Sequence, residues 1–203
     1  LIAGPMIAAW FDLQGVFWLT AMLAIVGMAL TVWVVPNPRV QTVRDSRPVA
    51  AQFWIVLRQP ELMRLNVGVF LLHMSMTAMF VVVPSLLLEK AQVDKASHWQ
   101  VYLPVLFASF VLMLPLMIAA ERKQKVKQVF LCAIGLLVMS QLMLARWHDS
   151  LLSIVAGLLV FFWAFNLLES MLPSLVSKVA SPALKGTSMG MFSTTQFLGA
   201  FAG

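Results

Sequence analysis

Charge is what this sequence has least of. Asp, Glu, Lys and Arg make up 11% of the 203 residues against 61% hydrophobic ones, and the mean hydropathy is +0.91. Such a chain has too little polar surface to coat a water-soluble globule of its length. Acidic residues are the scarcer kind, 8 against 14 basic ones, for a net charge of +6. The basic residues stand at the ends of apolar runs and are not gathered on one soluble face, so nucleic acid is not the expected partner. Cysteine occurs once, as Cys132 inside an apolar run, which excludes an intrachain disulfide and a cysteine-based metal site. There is no glycine-rich phosphate loop, no His pair at metal-ligand spacing and no carboxylate pair within one run. No cofactor, no metal and no enzyme of the soluble type is therefore expected.

What the chain does have is long apolar runs. Val16–Pro36, Leu65–Leu88, Val101–Ala120, Gln128–Ala145 and Leu151–Leu175 are each long enough to cross about 30 Å of hydrocarbon as a helix. Of the 14 Lys and Arg residues, eleven fall in the alternate gaps 37–64, 121–127 and 176–186, and three in the others. By the positive-inside bias those three gaps are cytoplasmic, and one count orients the whole membrane protein.

Leu1–Trp10 is apolar but about half a span long, and Thr187–Gly203 stops while still apolar, so both are expected to be truncated helices of a larger membrane protein. The links Phe11–Gly15 and Arg146–Ser150 are short enough to make their flanking helices antiparallel neighbours. The gap 37–64 holds Pro36, Pro38, Pro48 and five arginines at or within its bounds, and reads as a linker between two bundles. Within it Gln52–Leu62 is expected as a short interfacial helix with Phe53, Trp54, Leu57 and Leu62 on its apolar side. Six of the seven tryptophans lie near span ends, where the indole favours the headgroup layer; Trp163 is the exception.

Polar groups inside the runs are the candidate site. At 100° per residue, Asn66, His73, Thr77 and Pro84 fall within about 20° of one another on the helix, a stripe that should avoid lipid. His73 can change charge near neutral pH, which marks it as a functional candidate; the plainer reading is a neutral histidine bonded to a backbone carbonyl of a neighbouring helix. The run from Leu151 repeats the design with Asn166, Ser170, Pro173 and Ser177 on one face and Trp163 and Glu169 on its shoulders. Glu169 is the one acidic residue well inside a run. Because an unpaired carboxylate is expensive there, it is either a proton or ion-pair site facing a group outside this stretch, or a carboxylate snorkelling toward the surface near Lys178. Pro84, Pro104, Pro115 and Pro173 each remove a backbone donor and can bend their spans. Gly4/Ala8 and Gly186/Gly190 have the small-xxx-small spacing that admits a close helix.

Gly4-Pro5 near a span end, Phe17-Trp18, and a span closing in Trp33-Val34-Val35-Pro36-Asn37 resemble helices five and six of a major facilitator superfamily transporter. The Gly-Pro is similar to the tail of the proline-containing motif of that family's proton-coupled antiporters. Lys127-Gln128-Val129-Phe130, Ala164-Phe165-Asn166-Leu167, Leu172-Pro173-Ser174-Leu175, Lys185-Gly186-Thr187 and Gln196-Phe197-Leu198-Gly199 resemble bacterial inner-membrane drug-efflux members of the same family. The resemblance covers nearly the whole chain.

That resemblance implies an all-α integral membrane fold: an incomplete helical bundle of the superfamily with five full spans and two truncated helices. Residues 1–36 would end the amino-terminal bundle, 37–64 would be the cytoplasmic linker, and 65–203 most of the carboxyl-terminal bundle. The implied function is secondary active transport, proton-coupled efflux of hydrophobic or cationic small molecules by alternating access. Its partners are the small-molecule substrate, protons, the lipid bilayer and transporter helices outside this stretch. His73, Thr77, Phe80, Trp163 and Asn166 would line the cavity, and Glu169 would serve proton coupling or an inter-bundle pair. Gly4, Pro5, Pro173, Gly186 and Gly190 would serve helix packing or gating, with Gly186–Gly190 set against the loop between helices two and three. Two other readings remain: a scaffold or sensor that kept the fold and lost transport, and an intramembrane enzyme, for which no convergent acid, base or metal set is found.

Overall fold

A computed structural model describes residues 3–35 and 49–203, with side chains from 14–35 and 51–203. The chain divides into two compact units, Leu1–Thr42 and Val43–Gly203. Among the described residues all regular structure is helical: α1 (Ala3–Trp33) in the first unit, and α2 (Val49–Leu57), α3 (Pro60–Glu89), α4 (His98–Arg122), α5 (Val126–Arg146), α6 (Leu151–Val179) and α7 (Lys185–Ala202) in the second. Five helical stretches, Gln14–Trp33, Pro60–Glu89, Lys95–Arg122, Val126–Arg146 and Leu151–Val179, are long and apolar enough to cross a membrane. They coincide with the five runs expected from sequence.

In the first unit the link expected at Phe11–Gly15 is absent, and α1 runs unbroken through it. The reason is local. Gly15 is the weakest helix former of that segment, and no proline stands in it to stop the helix. The expected truncated helix at Leu1–Trp10 is thus continuous with the first full span. Along 14–35, Thr20 and Thr31 return their hydroxyls to the Phe17 and Gly27 carbonyls, both at 2.8 Å, so neither needs a partner helix.

The short helix of the linker is also corrected. It occupies Val49–Leu57 and stops before Pro60, which forces Gln59 into extended geometry at φ −86°, ψ 108° and then opens α3 at its first position. Leu62 therefore belongs to α3, where it is buried, while Phe53 and Trp54 point outward and Val56 is the buried residue of α2. Gln52, one turn before Val56, accepts a 2.7 Å bond from the Thr187 hydroxyl at the start of α7. The described part of the stretch expected as a linker thus belongs to the second unit and packs on α7. Pro36, Pro38, Pro48, Arg39, Arg44 and Arg47 lie outside the described residues.

In the second unit α6 is the central helix. A capping box between Ser150 and Ser153 starts it. Ile154, Leu158, Phe161, Leu167, Leu172 and Val176, all at or below 1% exposure, then pack on α3, α4, α5 and α7. Pairings fix the directions. Ser109 and Met117 of α4 meet Asn166 and Ser170 of α6, so these two run parallel; Gly68 and His73 of α3 meet Leu172 and Glu169, so α3 and α6 are antiparallel. The start of α3, the α4–α5 turn and the α6–α7 link consequently gather at one end, where a crevice is shared by Glu121, Val126 and Lys178. That end carries Arg58, Arg64, Arg122–Lys127, Lys178 and Lys185, the side assigned to the cytoplasm by the charge count. The α3, α4 and α6 helices run unbroken through Pro84, Pro104, Pro115 and Pro173.

Candidate functional site

The polar stripe of α3 faces inward as the spacing requires. Asn66 and His73 are buried at 2% and 6% exposure, and Thr77 and Pro84 are half-buried, while Val67, Leu71, Val81 and Val82 face out. From α6, Glu169 turns toward the same place, its Oε2 3.7 Å from His73 Nε2. From α7, the Gln196 side-chain amide enters between them, 2.8 Å from His73 Nε2 and 3.2 Å from Glu169 Oε1. Three helices thus bring an imidazole, a carboxylate and a carboxamide together within the apolar spans.

The helices can approach so closely because glycine stands at the contact. A Cβ on Gly199 would run into the Phe70 backbone carbonyl, and one on Gly203 into that of Met74. The small-residue seam of α7 is therefore Gly199/Gly203 against α3. Gly186 and Gly190, the pair expected from sequence, have open space where a side chain would stand. Both pairs share one spacing; what separates them is where α7 turns each toward a neighbour.

His73 Nδ1 lies 3.2 Å from the Val69 carbonyl one turn back on its own helix, and its ring packs edge-on against Phe165 at 5.6 Å. The expected bond to a carbonyl of a neighbouring helix is replaced by this bond within α3 and by the amide of Gln196. His73 is itself almost closed off, and Glu169, with 35% of its side chain exposed, is the member that reaches open space. Its nearest polar partners among the described residues are His73 and Gln196, and Oε2 has no hydrogen bond there. Pro173 stands four residues after Glu169, so the Glu169 backbone carbonyl lacks its helical N–H donor at this turn of α6.

The remaining candidates separate into two groups. Asn166 donates to Ser109 Oγ at 3.0 Å, and that hydroxyl donates to the Leu106 carbonyl at 2.8 Å, so this pair joins α6 to α4. Phe80 stacks near Tyr102 and Phe162, with ring centroids 5.8 and 6.0 Å apart. Trp163 is half-buried and its indole N–H, buried at the atom, has no acceptor. A cavity of about 410 Å³ lies on another side of α3, lined by Gly68, Leu72, Ser75, Phe130 and Leu168 among others, and none of the five expected cavity residues lines it. Gly4 and Pro5 lie outside the residues whose side chains are described. Ser109 and Met117 were not singled out by sequence reasoning, and Gln196 entered only within a family-like run, not as a site residue. Gln196 sits in a run whose polar members look like ordinary helix filler until α3 is placed beside it.

Parallel and antiparallel apolar helices joined by buried polar clusters define a multi-pass membrane helix bundle. The sequence model of the Major Facilitator Superfamily matches residues 1–203, and the chain belongs to that family, a class of transporters without enzymatic activity. It is 41% identical over its full length to the inner membrane transport protein YajR of Escherichia coli, of which it covers 45%. It is 27% identical to an uncharacterized transporter of Buchnera aphidicola from Acyrthosiphon pisum, of which it covers 52%. The chain therefore spans about half the length of the curated relatives it matches.

Proposed function

We propose that this chain is the central stretch of a bacterial inner-membrane secondary transporter that exports hydrophobic or cationic small molecules in exchange for protons. The observation that carries the reading is the His73–Gln196–Glu169 cluster, an ionisable pair at span depth held by three helices. Groups of that kind inside a membrane are retained for ion or proton movement, since structure alone is served better by apolar packing. The pair carries the proton together: His73 takes and releases it, and Glu169 supplies the counter-charge that makes the step possible, so Glu169 is needed for coupling. Alternating access then rocks one bundle against the other around a midplane cavity, toward which Thr77, Phe80, Trp163 and Asn166 contribute the wall of this half. The freed carbonyl ahead of Pro173 lets α6 flex at Glu169, and the open side of Gly186 and Gly190 is available to helices outside this stretch.

The test is uptake of ethidium, a hydrophobic cation, into inverted membrane vesicles carrying the full-length protein. Glu169→Gln keeps the shape and removes the charge. Proton-driven ethidium transport should fall by at least about tenfold while membrane insertion and expression stay normal. Transport at the wild-type rate at every external pH would reject Glu169 as the coupling group.

A further inference from the structure

We propose that Gln196 is a positioning residue for the proton site: its carboxamide fixes which nitrogen of His73 carries the proton and keeps the ring from closing directly on Glu169. This rests on reading the cluster as the proton site. The orientation of each group follows from donors and acceptors. The Val69 carbonyl can only accept, so His73 Nδ1 must donate to it. A neutral imidazole then leaves Nε2 as a bare acceptor, and the group 2.8 Å away must be the amide N–H₂ of Gln196 rather than its oxygen. The second N–H of the same nitrogen points at Glu169 Oε1, 3.2 Å away, which also requires a donor. Two independent demands, from α3 and from α6, fix the same amide orientation.

The carboxamide therefore stands where a direct His–Glu bond would form. With Gln196 in place, Nε2 and Oε2 remain 3.7 Å apart and Oε2 has no hydrogen bond. When a proton from water bonds to the Nε2 lone pair, Nε2–H and the amide N–H become two donors facing each other. Rotation of the amide resolves this: Gln196 Oε1 accepts from Nε2–H, and the former bond to Glu169 is lost because two oxygens now face each other. One proton thus exchanges a link between α7 and α6 for an ion pair between α3 and α6. Other titratable groups on the packed helices stand at or near helix ends, apart from Tyr102, set against Phe80, and the exposed Cys132. Gly199, one turn beyond Gln196, sets the reach by letting α7 rest on the Phe70 carbonyl.

The experiment is nitrogen NMR of ¹⁵N-histidine in the full-length protein in lipid nanodiscs, at a pH where the spectrum itself shows one protonated and one bare ring nitrogen. The His73 signals are assigned by their loss in His73→Asn. The wild type should show a protonated Nδ1 and a bare, hydrogen-bonded Nε2. Gln196→Met keeps length and packing without a donor, which leaves Nε2 facing only the Glu169 carboxylate, so the ring should give up its Nδ1–H bond to Val69 and turn to the other tautomer, with Nε2–H directed to Glu169. Gln196→Glu, a second variant without an N–H at that point, should lose the bare Nε2 signal as well. A wild type already protonated at Nε2, or an unchanged bare Nε2 in Gln196→Met, overturns the proposal. These outcomes do not depend on transport: a tautomer switch alongside normal efflux in Glu169→Gln rejects the proton-site reading and keeps the positioning role, and the reverse pattern rejects the positioning role alone.

Discussion

Helices α5 and α6 are neighbours of similar hydropathy, 2.0 and 2.3 over their most apolar windows, yet 17% of the first window is buried against 44% of the second. Their polar side chains differ in where they bond. Ser140 of α5 returns its hydroxyl to the Leu137 carbonyl of its own helix at 2.7 Å. On α6, Asn166 bonds to α4, Ser170 reaches Met117 of α4 at 3.3 Å, and Glu169 bonds to α7 beside a histidine of α3. Hydropathy tells which segments enter a membrane, while the destination of the polar bonds tells which helix is central. A serine satisfied within its own turn, as Ser140 is at 0% exposure, asks for no polar partner on another helix; an asparagine or glutamate does, and its helix is drawn to partners.

The comparison can be broken by substitutions measured as thermal stability of the full-length protein. Leu158→Ala on α6, where the side chain is 1% exposed, should cost about 3 kcal/mol, whereas Leu142→Ala on α5, 64% exposed, should change stability by less than about 0.5 kcal/mol. Gly157→Leu on α6 would place a Cβ 2.7 Å from Leu144 Cδ2 and should cost about 2 kcal/mol. The matching Gly135→Leu on α5 meets nothing within 4 Å and should be neutral or gain up to about 1 kcal/mol of helix propensity. Asn166→Leu removes the bond between helices and should cost about 1 kcal/mol; Ser140→Ala, which removes only a bond within one turn, should cost a few tenths, about 0.3 kcal/mol. Equal losses in the α5 and α6 members of these pairs would show that burial in this structure does not describe the assembled protein.

The spans were legible because an apolar run of about 20 residues has one common solution in a membrane. The inward face of α3 was legible because Asn66, His73 and Thr77 repeat at helical spacing, and the charge count identified the end at which the basic residues gather. Two kinds of feature were not legible. Whether a short polar stretch interrupts a helix is one: at Phe11–Gly15 a single glycine without a proline does not stop α1, and the expected break is absent. Contacts set by the rotation of one helix against another also leave no local trace: Gly186/Gly190 and Gly199/Gly203 have identical spacing, and only the second pair meets α3. Glu169 stood out in the sequence by the cost of its charge, but its neighbours did not, because a histidine 96 positions away and a glutamine on the next helix come beside it only through that seam.

The most direct test of the central claim compares two kinds of ethidium movement in proteoliposomes holding the full-length protein: exchange across a membrane with equal pH on both sides, and accumulation driven by a pH gradient. Exchange needs the substrate path and the rocking of the bundles, whereas accumulation also needs the proton to be carried. Wild-type protein should perform both, and Glu169→Gln should retain exchange while losing gradient-driven accumulation. Accumulation by Glu169→Gln to the wild-type level would contradict the account.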